Sequence, residues 1–179
     1  PKLNAQTQSN AGHAGHNFNL FDHYTKEALL HGTKAPDGGI YSCAADGTFA
    51  TKHIRRTLLS SSINSSFHPK LTVKWVENHV KLVKQKLAGY HNYLDHQLSG
   101  LSFDPDELLL QLRLRADVEF IDGKRSLIVK ISEQDVAPTM PAVLYISSKQ
   151  PLRLSDGWYE INCTGDSLIE KRLENLSIG

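Results

Sequence analysis

The side chains of this chain that are best suited to chemistry are its nine histidines. A metal site needs ligands that converge from rigid elements, with further partners that orient them. His13 and His16 are three residues apart but lie in a Gly- and Ala-rich stretch, and the five-residue spacing of His91 and His96 separates their rings on a helix. No Cys pair has metal-ligand spacing, so the sequence predicts no metal site and no cofactor.

The patterns typical of enzymes are also missing. The sequence contains no Gly-x-Ser-x-Gly elbow, no phosphate-binding glycine loop and no dinucleotide fingerprint. The aspartates that could act as acids or bases stand in turns or helix caps, where Asp is favoured for backbone reasons: Asp37, Asp46, Asp104 and Asp122. No nucleophile–base pair can be named, so the sequence predicts a binding protein and not an enzyme.

A basic helix face is the first candidate binding feature. Lys74, Lys81 and Lys84 fall on or near one face of a predicted helix, and we expect Lys81 and Lys84 to be exposed. Such a face either keeps a helix soluble or docks an acidic chain or phosphates. Trp75, at the head of this helix, is either a core anchor or a contact residue.

Arginines near the end of a second predicted helix could extend this surface, although cations there also complement the helix dipole. The predicted binding residues for a partner or for phosphates are Trp75, Lys74, Lys81, Lys84, Arg113, Arg115 and Arg125.

A turn that runs into an aromatic strand, Ser155-Asp156-Gly157-Trp158-Tyr159, is the second candidate feature. We expect Asp156 and Gly157 to set the turn geometry and Trp158 to pack mainly in the core. An exposed aromatic on a strand can stack on bases while nearby cations bind phosphates. The rival interpretation is therefore direct binding of single-stranded nucleic acid through Lys149, Arg153 and Tyr159.

Two helices must position these residues. In residues 71–90, apolar side chains recur at spacings of 4, 3, 4 and 3 and form one stripe: Val76, Val80, Val83, Leu87 and Tyr90. A second helix is predicted to begin after Asp104, a good N-cap, with Pro105 in its first turn. Its leucine-rich body, residues 108–116, should be central to the core.

The other segments predict short elements. Glycine turns at 36–39 and 45–47 predict a β-hairpin that contains Ile40–Cys43 and Phe49. Residues 52–59 predict a helix, while 125–131 fit either a helix or a strand. Beyond Pro138 and Pro141 the pattern changes, since 142–146 predicts a buried strand and 152–162 a hairpin.

Composition sets the broad class. Hydrophobic content of 40% with 22% charge is ordinary for a globular protein, and a net charge of +1 implies that any basic surface is local. No apolar run is long enough to span a membrane. The two cysteines, Cys43 and Cys163, suggest a reduced protein of the nucleus or cytoplasm. The alternative, one disulfide between them, is left open by the sequence.

Several short motifs occur in a distinctive order: Asn17-Phe18-x-Leu20-x-x-x-Tyr24, Asp37-Gly38-Gly39, Trp75-Val76-x-Asn78-His79, Leu109-Leu110-Gln111-Leu112, Arg125-Ser126 and Asp156-Gly157-Trp158-Tyr159. From about Phe18 onward, this ordered set resembles the DNA-binding region of the breast-cancer type 2 susceptibility family, from its helical domain into its first OB fold. Leu82 and Gln85 stand where that family carries two further tryptophans.

The resemblance implies a nuclear mediator of double-strand break repair by homologous recombination. It implies that the helical domain binds a small acidic partner, the split hand/split foot deletion protein, and that later OB folds bind most of the single-stranded DNA. A RecA-type recombinase would be loaded through other parts of the parent protein. An OB barrel needs five strands, and only about three fit after Ala142.

The expected fold class is α+β, a mainly helical domain with β-hairpins followed by an incomplete OB fold. Residues 1–17 are expected to be a flexible leader, 18–140 the helical domain and 141–179 the first part of the OB fold.

Overall fold

The computed structural model describes residues 18–61, 69–94, 104–137 and 139–174, so the predicted leader lies outside the described residues. These residues form two compact units, one ending at Gly123 and one beginning at Lys124. Both units combine α-helices with small antiparallel sheets, and the first is mainly helical. The α+β fold class is therefore confirmed. Within the described residues, no helix is long and apolar enough to cross a membrane.

The described residues of the first unit form two short strands, four α-helices and single turns of other helix types. In chain order these are β1 (Phe18–Asn19), a 3-10 turn (Leu20–Asp22), α1 (Lys26–His31), β2 (Thr48–Phe49), α2 (Thr51–Ser60), α3 (Val73–Leu94), α4 (Pro105–Ala116) and a π-helical turn (Asp117–Ile121).

The long helix α3 confirms the prediction from the apolar stripe. Its buried face is wider than that stripe, because Trp75, His79 and Leu82 are buried beside the predicted Val76, Val83 and Leu87. A helix that packs against two neighbours buries more than one row of side chains. The outward face of α3 is consequently narrow: Lys74 is exposed on it, whereas Lys84 lies against Phe18.

Helix α4 begins as predicted. The Asp104 side chain accepts a hydrogen bond from the backbone N–H of Asp106 at 3.0 Å, and Pro105 occupies the first turn. Leu108, Leu109 and Leu112 are at most 1% exposed and lie in the core, whereas Leu110 and Leu114 of the same helix are exposed. Helices α2, α3 and α4 pack against one another, and α3 makes extensive contacts with both of the others.

The predicted pairing of the first hairpin is wrong. Strand β2 pairs with β1, Phe18 opposite Phe49, while Ile40 forms an isolated bridge to Lys34. Gly47 permits this pairing. Its φ is +83°, and a Cβ at this position would lie 2.3 Å from Asn19 Oδ1. The segment that begins at Phe18 can therefore approach the turn only because residue 47 lacks a side chain.

The second unit contains α5 (Leu127–Ser132), β3 (Tyr145–Lys149), β4 (Leu152–Ser155), β5 (Glu160–Asn162) and α6 (Ser167–Glu174). Its strands form an antiparallel sheet in the order β3-β4-β5. The predicted hairpin of β4 with β5 is confirmed, and α5 resolves the ambiguity of 125–131 in favour of a helix.

The predicted buried strand at 142–146 is wrong. Val143 is 98% exposed, and the strand begins only at Tyr145, which is itself 41% exposed. Only Tyr145 and Ile146 of this apolar run lie in the sheet, and they belong to the edge strand β3. The last helix before the sheet ends at Ser132 and strand β3 begins at Tyr145, while the second compact unit begins at Lys124.

Candidate functional site

The candidate site is the junction between the first turns of α3 and the C-terminal end of α4. Thr72 caps α3, since its Oγ1 accepts a hydrogen bond from the Trp75 backbone N–H at 3.1 Å. The Trp75 ring stacks on His79, with ring centroids 4.0 Å apart and planes inclined by 22°. Residues four apart share a helix face, which explains this stacking. Only 8% of Trp75 is exposed, so it anchors the junction.

The π-helical turn brings Glu119 to this junction. Such turns interrupt the α-helical repeat and are frequent at functional sites. Glu119 Oε2 accepts a hydrogen bond from the Trp75 indole N–H at 3.2 Å and from an Arg115 terminal nitrogen at 2.6 Å. The Phe120 ring lies tilted against Trp75, with centroids 5.3 Å apart. One carboxylate thus joins a residue of α3 to a residue of α4.

His79 completes the network through both of its ring nitrogens. Its Nδ1 lies 2.8 Å from the Trp75 carbonyl oxygen, and its Nε2 lies 3.4 Å from Arg115 Nε. A carbonyl can only accept and a guanidinium can only donate. We therefore assign the ring proton to Nδ1, which leaves Nε2 to accept from Arg115. Glu119 Oε2, at 3.9 Å from Nε2, is a more distant neighbour.

The electrostatics of the junction favour a rigid framework. The Arg115 side chain is 6% exposed and that of Glu119 is 16% exposed. Charges removed from water are tolerated when they are paired and hydrogen-bonded, and leaving one partner alone is costly. The arrangement can hold α3 and α4 in a fixed orientation. Whether Trp75 and Arg115 also contact a partner stays a prediction.

The lysines of α3 differ in exposure. Lys74 is exposed, whereas Lys81 is half-buried. Lys84 is also half-buried, its Nζ 4.8 Å from the ring centroid of Phe18 in a cation–π contact. Burial lowers the pKa of Lys84. The expectation that Lys81 and Lys84 are both exposed is wrong, because β1 packs beside the helix at Lys84.

Arg113 lies outside the junction. Its Nε is 3.2 Å from Asp117 Oδ1, and a terminal nitrogen donates to Ser61 Oγ at 3.1 Å. It therefore ties α4 to the residue that follows α2. Arg125 belongs to the second unit, where it is half-exposed and forms ion pairs with Glu133 and Asp135.

The predicted nucleic-acid residues lie in the second unit and do not share one face. Ser148 pairs with Arg153 and Lys149 pairs with Leu152. Paired residues point to the same face of a sheet and successive residues to opposite faces. The register therefore directs Lys149 and Arg153 to opposite faces. Tyr159 is half-buried beyond the turn, with its backbone N–H bonded to Asp156 Oδ1 at 2.9 Å.

The Ser-Asp-Gly turn has the structural role that the sequence predicts. Asp156 Oδ1 also accepts from the backbone N–H of Trp158 at 3.0 Å, and Asp156 Oδ2 accepts from that of Ile128 at 2.9 Å. Gly157 has a φ of +90°, a conformation that favours glycine. The same carboxylate thus shapes the turn and caps the start of α5.

A polar cluster around Asp106 was also not predicted from the sequence. The hydroxyl groups of Tyr24 and Tyr41 both donate to the Asp106 carboxylate, from Tyr24 at 2.8 Å. Burial, strengthened by the neighbouring carboxylate, raises the pKa of both phenols. Asp106 is 82 residues from Tyr24 and 65 from Tyr41, so no local spacing signals the contact. In the described part of the chain, no three His, Cys, Asp or Glu side chains are grouped as metal ligands.

Comparison with known proteins agrees with this architecture. Residues 3–123 match the family model described as BRCA2, helical. Two Arabidopsis thaliana proteins, named Protein BREAST CANCER SUSCEPTIBILITY 2 homolog A and homolog B, are each 29% identical to the chain over 119 residues. The match covers 56% of this chain and 10% of each relative, so the chain spans a small part of their length.

Proposed function

The chain belongs to the BRCA2 helical family, and from this premise we propose that it is a non-enzymatic module of a nuclear mediator of recombinational DNA repair. Its helical unit docks a small acidic partner, the split hand/split foot deletion protein. It also supports neighbouring OB folds that bind single-stranded DNA while other parts of the parent protein load a RecA-type recombinase.

The observation that carries the docking proposal is the division of α3 into two faces. Trp75 and His79 fasten one face to α4, while Lys74, exposed, and Lys81, seven residues later, fall on the other. Seven residues make about two helical turns, so both lysines point in the same direction. The buried network fixes α3 and so presents this basic face in one orientation.

An acidic partner suits this face better than an apolar one. The net charge of the chain is only +1, so attraction must come from a local group of cations. Charge complementarity at an interface mainly sets orientation and association rate. The buried Trp75 and Arg115 then support docking indirectly, because they fix the orientation of α3. The exposed Lys74 contacts the acidic partner.

The test is a charge reversal with a matched control. Lys74→Glu with Lys81→Glu should weaken binding of the labelled acidic partner by about tenfold or more at physiological salt. The control is Lys52→Glu with Arg56→Glu, two exposed cations on α2 whose reversal changes the net charge equally. Equal weakening in both variants would refute a specific role of α3, as would unchanged affinity in the first. Circular dichroism checks that both variants fold.

Direct binding of single-stranded DNA through the second unit is the alternative. Arg153 on β4 and Tyr159 beyond the turn are the residues that would carry it. Tyr159→Ala should weaken binding of an oligothymidine by about tenfold if a base stacks there. Since Lys149 and Arg153 point to opposite faces, only one of their alanine variants should affect the DNA. Unchanged DNA affinity in Tyr159→Ala would count against this alternative.

A further inference from the structure

An open groove lies between α1 and the segment of residues 41–45, on a part of the first unit that the docking proposal does not use. Its volume is about 360 Å³, at the small end of the range for ligand pockets. Leu29 and Leu30 of α1 line one side, and Tyr41 and Cys43 line the other. Leu30, which lines the groove, is 77% exposed.

The segment that borders this groove has an incomplete set of backbone hydrogen bonds. The N–H of Tyr41 donates to the Thr33 carbonyl at 3.0 Å, that of Ser42 to Thr57 Oγ1 at 3.2 Å, and that of Ala44 to the Thr48 carbonyl at 3.0 Å. Among the residues that the structure describes, neither the N–H nor the carbonyl of Cys43 has a hydrogen-bond partner.

The direction of these bonds indicates which side is open. In an extended chain, the N–H groups of alternate residues point to opposite sides. Ser42 and Ala44 bond to α2 and β2, whereas Tyr41 bonds to Thr33, so this alternation assigns the N–H and carbonyl of Cys43 to the side of Tyr41 and Thr33. A donor and an acceptor on one residue are the pair that an added antiparallel strand uses.

We propose that this groove binds a short extended peptide of a partner protein. Its backbone pairs with the N–H and carbonyl of Cys43, and one apolar side chain lies against Leu29 and Leu30. Of the described lining residues, Lys26 alone carries a charge, so a carboxylate beside the apolar residue completes the match. Main-chain bonds supply affinity, while the groove and Lys26 select the sequence.

The experiment selects a phage-displayed library of random short peptides against the full chain. Enriched peptides should share an apolar residue next to Asp or Glu. The affinity of a synthetic selected peptide should fall about tenfold or more in Leu30→Glu. The matched control is Leu114→Glu. Leu114 is 60% exposed on α4, so this substitution makes the same chemical change at an exposed leucine away from the groove. Affinity there should stay within about twofold of the parent chain.

Amide hydrogen exchange tests the backbone contact separately. The Cys43 amide, which has no partner, should exchange rapidly in the free chain and slowly with the peptide bound. The Ala44 amide, already bonded to Thr48, serves as the internal reference. Three results would overturn the proposal: no enriched peptide, equal affinity in Leu30→Glu and Leu114→Glu, or unchanged exchange at Cys43.

Discussion

Replacing Glu119 by Ala tests the buried network directly. The substitution leaves Arg115, which is 6% exposed, without its carboxylate at 2.6 Å, and it removes the acceptor of the Trp75 indole. Removing one member of a buried ion pair costs roughly 3–5 kcal/mol. Because 16% of the Glu119 side chain is exposed, we expect the lower end, a loss of about 3 kcal/mol.

The chain contains a matched control for this substitution. Asp117 pairs with Arg113 at the same four-residue spacing, but its side chain is 39% exposed. Solvent screens such a pair, so Asp117→Ala should cost only about 0.5 kcal/mol. Glu119→Gln should fall between the two alanine variants, because an amide can still accept from the Trp75 indole but carries no charge.

Urea denaturation followed by tryptophan fluorescence measures these differences. A Trp158→Phe background leaves Trp75 as the reporter of the first unit. For a denaturant slope of about 2 kcal/mol per molar urea, a loss of 3 kcal/mol lowers the midpoint by about 1.5 M. If Glu119→Ala and Asp117→Ala shift the midpoint equally, the assignment of a buried, structurally necessary charge at Glu119 is refuted.

Two further predictions concern the start of α2 and the β1–β2 contact. Burial, together with the nearby cations Lys52 and Arg56, lowers the pKa of His53 below 6.5. The neutral ring therefore contributes its full stabilisation above pH 6.5. That contribution is lost as the pH falls toward the pKa of the folded state, because the unfolded chain takes up the proton first. Unfolding free energies between about pH 7.5 and pH 5.5 should therefore decline more steeply in the parent chain than in His53→Gln, and parallel profiles would contradict this. Gly47→Ala should cost about 2–4 kcal/mol, from a φ of +83° and a Cβ placed 2.3 Å from Asn19 Oδ1. Gly38→Ala, with the same φ and no atom within 4 Å, should cost only about 1 kcal/mol in the same denaturation assay.

The elements that the sequence predicted well are those whose signals are local. Asp104 and Pro105 predicted the start of α4 because capping involves residues two or three positions apart. The apolar stripe predicted α3 because residues three or four positions apart lie on the same face of a helix. Asp156 and Gly157 predicted their turn for the same reason, since a turn closes within four residues.

The predictions that failed depended on what lies opposite each segment. Val143 belongs to an apolar segment that predicted a buried strand, but it is exposed in the structure. A strand is buried only if another element packs on it, and the apolar segment alone does not show whether one does. The sequence does not specify which extended segment pairs with Phe49. In the structure it pairs with β1, and the missing side chain of Gly47 leaves room for Asn19 of that strand. Lys84 looked exposed on its helix, and the position of Phe18 made it half-buried.

The sequence by itself determined where α4 begins, the main apolar stripe of α3, and that Lys74 and Lys81 share one side of that helix. These properties follow from backbone geometry and side-chain spacing within a few residues. Only the tertiary structure decided that Trp75, His79, Arg115 and Glu119 form one network and that Cys43 has unused backbone groups beside a groove. Contacts between residues far apart in the chain depend on how whole elements pack. Because protein interiors are closely packed, the shapes of neighbouring elements determine which polar groups come within hydrogen-bonding distance.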